Sequence, residues 1–393
     1  MNIKFSTFQS RLTHSPDFNN ETEKFIADIE KSLCDKLHYA DLADYDCDVK
    51  LIFVQTGGSE GYFLNSFDKL QEPYYILTNG SNNSLAASLE ILTYLNNRGI
   101  KGEILHGGAE YIAERIKTLA AVNKVKSQLK SARLGVIGQP SNWLISSVPD
   151  YGDVLRTLGV TLVNIPISRV EEISKNAVIS SKTDCPDFDR EELTKARQIQ
   201  QALEQIVCKE RLNGLTIRCF DLLTSLKSTG CLALAELNAK GIIGTCEGDI
   251  AAMLSMLIAR IISGKSNFQA NPSRIDVNNN TVVFAHCTAP LDMLDKYKFD
   301  THFESGIGVA VKGELHAGKA TVFRLSADLK RYFVSSCDIV KNLSETDLCR
   351  TQIAVRLDEP VTQLLTTPCG NHHIIMYGDY TRHIKLVMDS LLG

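Results

Sequence analysis

Two carboxylates stand at the head of the most apolar segment of the chain. The stretch 241–264 reads GIIGTCEGDIAAMLSMLIARIISG, and it places Glu247 and Asp249 at a glycine-punctuated entry to a predicted buried helix. A carboxylate is costly to bury without a partner. A purely structural explanation is that Asp249 caps the helix and Glu247 favours its positive end. A bound cation would equally account for Glu247, which is therefore a candidate ligand.

Two further candidates flank the predicted strand TVVFAHC. Asp276 precedes it in RIDVNNN, where an aspartate beside three asparagines more commonly stabilises a surface turn. His286 and Cys287 end the strand. A histidine in that position is more often a structural hydrogen-bonding group than a ligand.

A third candidate is the histidine pair in GNHHIIMYG. His372 and His373 are adjacent on a predicted strand and point to opposite faces, so at most one serves a given site. The alternative is a pair that faces solvent. Together, Glu247, Asp276 and one imidazole form a set of two oxygens and one nitrogen. Such a set suits manganese, or magnesium less well.

The elements that must position these residues indicate an α/β fold. Strands and helices alternate from residue 48 to the helix that follows Glu247, which predicts parallel sheets. After Gly264 closely spaced β segments take over, which is typical of an antiparallel sheet or barrel. We predict two Rossmann-like α/β domains, 1–132 and 133–266, followed by a β-rich, barrel-like domain, 267–393.

Composition excludes several classes of protein. The 393 residues are 44% hydrophobic and 22% charged, as in an ordinary globular protein, and the net charge of -4 gives no reason to expect nucleic acid or a membrane as partner. The eleven cysteines are scattered singly, which favours a reducing cytosol over a disulfide framework. No secretory signal is visible, so we expect a cytoplasmic protein.

Common cofactor and nucleophile motifs are missing from the sequence. The segment TGGSEG after a predicted strand fails the G-x-G-x-x-G spacing of dinucleotide folds. The sequence also contains no Walker lysine motif, no G-x-S-x-G elbow and no H-E-x-x-H pair.

Three motifs in fixed order connect the chain to a known family. CEGDIAAMLSM, then an aspartate before a strand ending in FAHC, then GNHHIIMYGDY, resemble the L-fucose isomerase and L-arabinose isomerase superfamily, in particular its shorter fucose-isomerase-like proteins. The resemblance is clearest from residue 241 to the end. It implies a divalent metal, usually manganese, held by Glu247, Asp276 and His372. It also implies an aldose–ketose isomerase that uses an enediol, with Glu247 and Asp276 as base and acid.

Other residues could contact a sugar substrate. Trp143, the only tryptophan, could stack on a sugar face, although plain packing of the ring is the more common role. Arg218 could contact a hydroxyl or a phosphate, or form an internal salt bridge. His302 and Glu304 lie on a glycine-containing turn that could reach the pocket, or face water.

The resemblance leaves alternatives open. The chain is shorter than true L-fucose or L-arabinose isomerases, so a catalytically silent sugar-binding or regulatory protein is one alternative. A sugar epimerase that shares the enediol step is another. By the same resemblance we expect a homo-oligomer, a trimer or hexamer.

Overall fold

The structure is a computed structural model that describes residues 1–10, 18–179 and 187–392. Its contacts divide the chain into two compact units, 1–124 and 125–393. Residues 133–266 and 267–393, which we predicted as separate domains, both lie in the second unit.

The first unit is built on a parallel sheet. Its strands run in the order β2-β1-β3-β4-β5, with helices between them in the chain. The elements are β1 (Ile3–Phe8), α1 (Phe18–Leu33), β2 (Leu37–Tyr39), β3 (Val49–Val54), α2 (Glu60–Asn65), β4 (Tyr74–Leu77), α3 (Ser84–Asn96), β5 (Gly102–Leu105) and α4 (Ala109–Ser131).

The second unit begins with a four-stranded parallel sheet in the order β7-β6-β8-β9. Its elements are β6 (Arg133–Ile137), α5 (Tyr151–Leu158), β7 (Thr161–Ile165), α6 (Ile167–Asn176), α7 (Arg190–Glu210), β8 (Gly214–Ile217), α8 (Phe220–Ser225), α9 (Cys231–Ala239), β9 (Ile243–Cys246) and α10 (Ile250–Ser263). The two parallel sheets confirm the predicted Rossmann-like character.

A closed antiparallel barrel follows, in the order β10-β11-β16-β15-β14-β17, which confirms the predicted β-rich region. The elements are β10 (Phe268–Asp276), β11 (Thr281–His286), β12 (Leu294–Asp300), β13 (Ala310–Leu315), β14 (Gly318–Leu325), β15 (Tyr332–Asn342), β16 (Thr351–Leu357), α11 (Gln363–Thr366), β17 (His373–Tyr377) and α12 (Thr381–Leu392). Strands β12 and β13 pair separately as a hairpin.

Helix α10 connects the parallel sheet to the barrel. Every residue from Ile250 to Ala259 is buried, because the helix packs against β8 and β9 on one side and against β14 and β17 on the other. Asp249 caps its start by accepting a hydrogen bond from the backbone N–H of Ala252, and Gly264 ends it at a φ of 68°. The site residues at the head of α10 are therefore fixed by both layers of the second unit.

None of the helices in the described ranges combines the length and the apolar character that crossing a membrane requires.

Candidate metal centre

Glu247 lies in a sharp turn between β9 and α10. Its φ is 65° and that of Gly248 is 72°, so two successive residues occupy the left-handed region. A β-carbon at Gly248 would lie 2.7 Å from Cα of Pro140, so only glycine fits beneath that loop. The backbone N–H of Ser141 donates to the Glu247 carbonyl at 2.9 Å. The loop thus fixes the backbone of Glu247, and 13% of the side chain remains exposed.

The buried Asp249 has a full set of partners. Its two carboxylate oxygens each lie 3.2 Å from a terminal guanidinium nitrogen of Arg324, and both side chains are completely buried. Its Oδ2 also lies 2.8 Å from Nδ1 of His372. Asp249 therefore does more than cap the helix, since it joins a buried arginine to a buried histidine.

His372 turns its second nitrogen toward Glu247. Nε2 of His372 lies 3.6 Å from Oε1 of Glu247, beyond hydrogen-bonding distance. This nitrogen is buried and has no hydrogen-bond partner. Buried polar atoms are usually paired, so an orphaned ring nitrogen beside a carboxylate indicates a position for a ligand.

His286 completes the group. Its ring lies 5.4 Å from that of His372 between centroids, and its Nδ1 shares a hydrogen bond of 2.9 Å with the hydroxyl of Thr288. One ligand atom each from Glu247, His286 and His372 lie within 4.8 Å of one another. A carboxylate oxygen and two imidazole nitrogens form a donor set that fits a divalent transition metal.

The surroundings of the three groups shift their pKa values by different amounts and in different directions. Burial, helped by the nearby charge of His372, lowers the pKa of His286 to about 3 and keeps that ring neutral. Burial would also lower the pKa of His372, but the hydrogen bond to Asp249 and the nearby carboxylate of Glu247 outweigh it and raise the value to about 9. Burial opposes ionisation of Glu247, yet contacts with His372 hold its pKa at about 2. A cation at this centre would displace the proton of His372.

Aromatic side chains line one side of Glu247. Nε1 of Trp143 donates to Oε2 of Glu247 at 2.7 Å. The Trp143 ring meets Phe220 edge-to-face at 4.9 Å between centroids, and Phe220 meets His302 in the same way at 5.6 Å. Because 52% of Trp143 is exposed, this end of the aromatic row lies open to solvent beside the carboxylate, whereas His302 at the other end is buried.

Arg218 takes part in an internal network. Its Nε lies 3.0 Å from Oδ1 of Asp221, and its Nη1 donates to the carbonyl of Pro140 at 3.0 Å and to Oδ1 of Asn142 at 3.3 Å. The contact with Asp221 is the internal salt bridge that the sequence offered as the alternative role for Arg218. Arg218 holds the loop that carries Trp143.

Glu304 is an exposed carboxyl group whose pKa responds to the charge of Glu247. Partial burial, and the charge of Glu247, raise its pKa. His302, two residues earlier, is buried and shares a hydrogen bond of 3.0 Å with the hydroxyl of Ser305. The glycine-containing turn therefore does reach the electrostatic surroundings of Glu247.

The structure does not bring Asp276 to this centre, which corrects the expected ligand set. Asp276 lies in an exposed turn, where its carboxylate accepts hydrogen bonds from Asn278 and Asn279 at 2.7–3.1 Å. The site end of β10 is marked by Gln269, which accepts a hydrogen bond of 2.8 Å from the backbone of Cys246. Asp276 lies seven residues further along this extended strand, which places it roughly 20 Å from Gln269. Its role is the turn stabilisation that its asparagine neighbours indicate.

The adjacent histidines separate as expected. His372 enters the centre, whereas His373 contacts Phe284 and Phe333 and shares a hydrogen bond of 3.0 Å with the Asn371 carbonyl. The opposite directions of neighbouring side chains explain the separation. Both rings are buried, so the alternative of a solvent-facing pair is wrong.

Sequence reasoning missed His286 as a member of the centre and did not identify Arg324 at all. His286 stood in the quoted FAHC motif, and its position at the end of a strand was the available signal. Arg324 gave no signal, because an arginine in a predicted strand ordinarily faces water.

No protein-family model matches the chain. Among curated proteins it is similar to the sulfoquinovose isomerase of Priestia megaterium, with 26% identity over 300 residues that cover 70% of this chain and 66% of that protein. The sulfoquinovose isomerase of Clostridium sp. is 26% identical over 312 residues, covering 72% and 68%. That of Alkalicoccus urumqiensis is 23% identical over 299 residues, covering 70% and 66%. The chain is similar to sugar isomerases. It spans 66% of the length of the first relatives it matches.

Proposed function

We propose that this protein is a metal-dependent aldose–ketose isomerase that acts on a pentose or a hexose, including deoxyhexoses, through an enediol. The observation that carries the proposal is the convergence of Glu247, His286 and His372 on one point, with the buried Nε2 of His372 unpartnered. The similarity to sulfoquinovose isomerases supports the same class of reaction.

Manganese is the proposed cofactor, held by Glu247, His286 and His372. Replacing the expected Asp276 by an imidazole makes the donor set richer in nitrogen, which favours manganese further over magnesium. When bound, such an ion supplies Lewis-acid stabilisation of negative charge on the oxygens of an enediolate.

The carboxyl groups are the proposed proton carriers. With a pKa of about 2, Glu247 is ionised at neutral pH, as a metal ligand and a proton acceptor both must be. Because Asp276 lies elsewhere, the second proton-transfer role needs another group. We assign it to Glu304, whose raised pKa brings it closer to the range suited to general acid–base catalysis.

The aromatic row of Trp143, Phe220 and His302 is the proposed wall for the sugar. Trp143 offers an exposed ring beside Glu247, and His302 contributes a neutral imidazole whose pKa burial lowers. A sugar presents C–H faces that pack on aromatic rings and hydroxyls that pair with polar edges. Arg218 supports this wall indirectly, because it holds the loop that carries Trp143.

The deciding experiment is an isomerisation assay with added Mn²⁺. The substrate panel should contain pentoses, deoxyhexoses and sulfoquinovose, the last because the relatives carry that name, and the product to measure is the ketose. Glu247→Gln and His286→Ala should abolish turnover, whereas Asp276→Asn should retain it because its carboxylate lies outside the centre.

Two results would contradict the proposal. Absence of Mn²⁺ binding by the intact chain would remove its basis. Binding of metal and sugar without turnover would support the silent sugar-binding protein instead. We also propose the homo-oligomer that the resemblance implies, and light scattering that shows a monomer would refute it.

A further inference from the structure

We propose that Asp249 and Arg324 form a positioning pair that fixes the ring orientation and the tautomer of His372, so that Nε2 faces Glu247. Neither residue is proposed to touch the sugar. The link to catalysis rests on the proposed metal centre, whereas the orientation of the His372 ring can be tested without it.

Both oxygens of the Asp249 carboxylate already have two contacts each. Oδ1 accepts from the backbone N–H of Ala252 at 2.7 Å and from Nη2 of Arg324 at 3.2 Å. Oδ2 accepts from Nη1 of Arg324 at 3.2 Å and contacts Nδ1 of His372 at 2.8 Å. A helix cap needs only one of these contacts. The other three bind the arginine and the histidine, which a capping role leaves unexplained.

Arg324 contacts both Asp249 and the loop that carries His372. On β14 it continues the row of Ala320 and Val322, which pack in the barrel core. Its Nε donates to the Cys369 carbonyl at 3.3 Å, three residues before His372. The guanidinium also lies against Gly370, where a β-carbon would come within 2.5 Å of Nη2. Arg324 therefore fixes Asp249 and the loop that carries His372 at the same time.

The chemistry of the pair determines the histidine tautomer. An ionised carboxylate can only accept hydrogen bonds, so Nδ1 of His372 must carry the proton in that contact. The remaining nitrogen, Nε2, is then the one that would give up its proton when a metal binds and offer the metal its lone pair. Carboxylates that orient a metal-binding histidine in this way commonly change metal affinity by about 10- to 100-fold when they are removed.

Asp249→Asn tests this assignment while it preserves the helix cap, because asparagine is a good N-cap residue. If the asparagine oxygen keeps the Ala252 contact, its NH₂ group faces His372 and donates to Nδ1. The ring proton then moves to Nε2 and points at the metal position. We expect Mn²⁺ affinity to fall by about 10- to 100-fold. The ring should also move in a crystal structure of the variant.

The double variant Asp249→Asn with Arg324→Met provides a second test, because it leaves no unpaired buried charge that could prevent folding. It should show the same loss of affinity. Ser147→Ala is the matched control, since it removes only the 3.1 Å contact of Arg324 Nη2 and leaves the carboxylate paired. This control should bind Mn²⁺ within about threefold of the unchanged protein, well short of that loss.

The outcomes separate the two proposals. If the unchanged protein binds Mn²⁺ and both Asp249 variants bind it within threefold, the positioning pair is refuted and the metal centre stands. If the unchanged protein binds no Mn²⁺, the proposed function fails. In that case a His372 ring that keeps its orientation only when Asp249 is present supports the pair, and a ring that is unmoved in the Asp249 variants refutes it.

Discussion

The metal-free protein should lose stability as the pH rises through the neutral range, because of His372. Contacts with Asp249 and Glu247 raise the pKa of this completely buried ring from 6.5 to about 9. A group whose pKa is raised on folding contributes stability that is fully present below the unfolded-state pKa and is lost as the pH rises to the folded-state value. The contribution should therefore be complete near pH 6 and absent above about pH 9. The shift corresponds to roughly 3 kcal/mol.

Urea unfolding in the presence of EDTA, between pH 6 and pH 10, measures this contribution. EDTA is needed because a bound cation would replace the proton and reverse the trend. His372→Asn is the test variant, since its amide can still donate to Asp249 but cannot titrate. The quantity of interest is the difference in unfolding free energy between the two proteins, because thiols, lysines and tyrosines that titrate in the same range then cancel.

The expected difference shrinks by roughly 3 kcal/mol from pH 6 to pH 9. His316→Asn is the control for replacing a histidine, because the side chain of that histidine is 54% exposed and lies outside the centre. A difference between the His372 variant and the unchanged protein that stays constant over this range would refute the reasoning. It would mean that the ring is neutral in the folded, metal-free protein.

Three further results are expected. His286→Ala should weaken Mn²⁺ binding in titration calorimetry, whereas Asp276→Asn should not; equal effects would contradict the assignment of His286. Trp143→Phe should raise the pKa of Glu247 and slow turnover at saturating sugar, because it removes a 2.7 Å hydrogen bond to the carboxylate. Such a bond is typically worth about 1.5–3 kcal/mol, and less here because Trp143 is partly exposed. An unchanged pH–rate profile would argue against that bond. Arg218→Gln should release the loop and shift the emission of Trp143 to the red, which is readable because the protein has no other tryptophan; unchanged emission would show that the loop holds without the arginine.

The alternation of strands and helices and the change at Gly264 were readable because both depend on local patterns. The apolar segment after Asp249, predicted as a buried helix, forms the buried α10. The turn before α10 was marked by its glycine. Glu247 was a candidate for a physical reason that needs no structure, since a carboxylate within an apolar segment requires a partner.

The identity of that partner depended on contacts between residues far apart in the sequence. Asp249, Arg324 and His372 are separated by 48 to 123 positions along the chain, and each has an ordinary explanation when considered alone. The register of β10 keeps Asp276 away from the centre. The strand places Gln269 beside Cys246 and leaves Asp276 in the exposed turn at the opposite end.

The sequence by itself determined the fold class and made Glu247 a candidate ligand, because local periodicity and the cost of burying charge act within short segments. The choice of His372 over His373 came from the resemblance of its motif. Only the tertiary structure decided that His286 is the third member and that Arg324 supports the group. A strand carries its side chains about 3.3 Å apart. Which end of the strand meets the carboxyl edge of the parallel sheet is set by how the barrel closes, and no short segment of sequence contains that information.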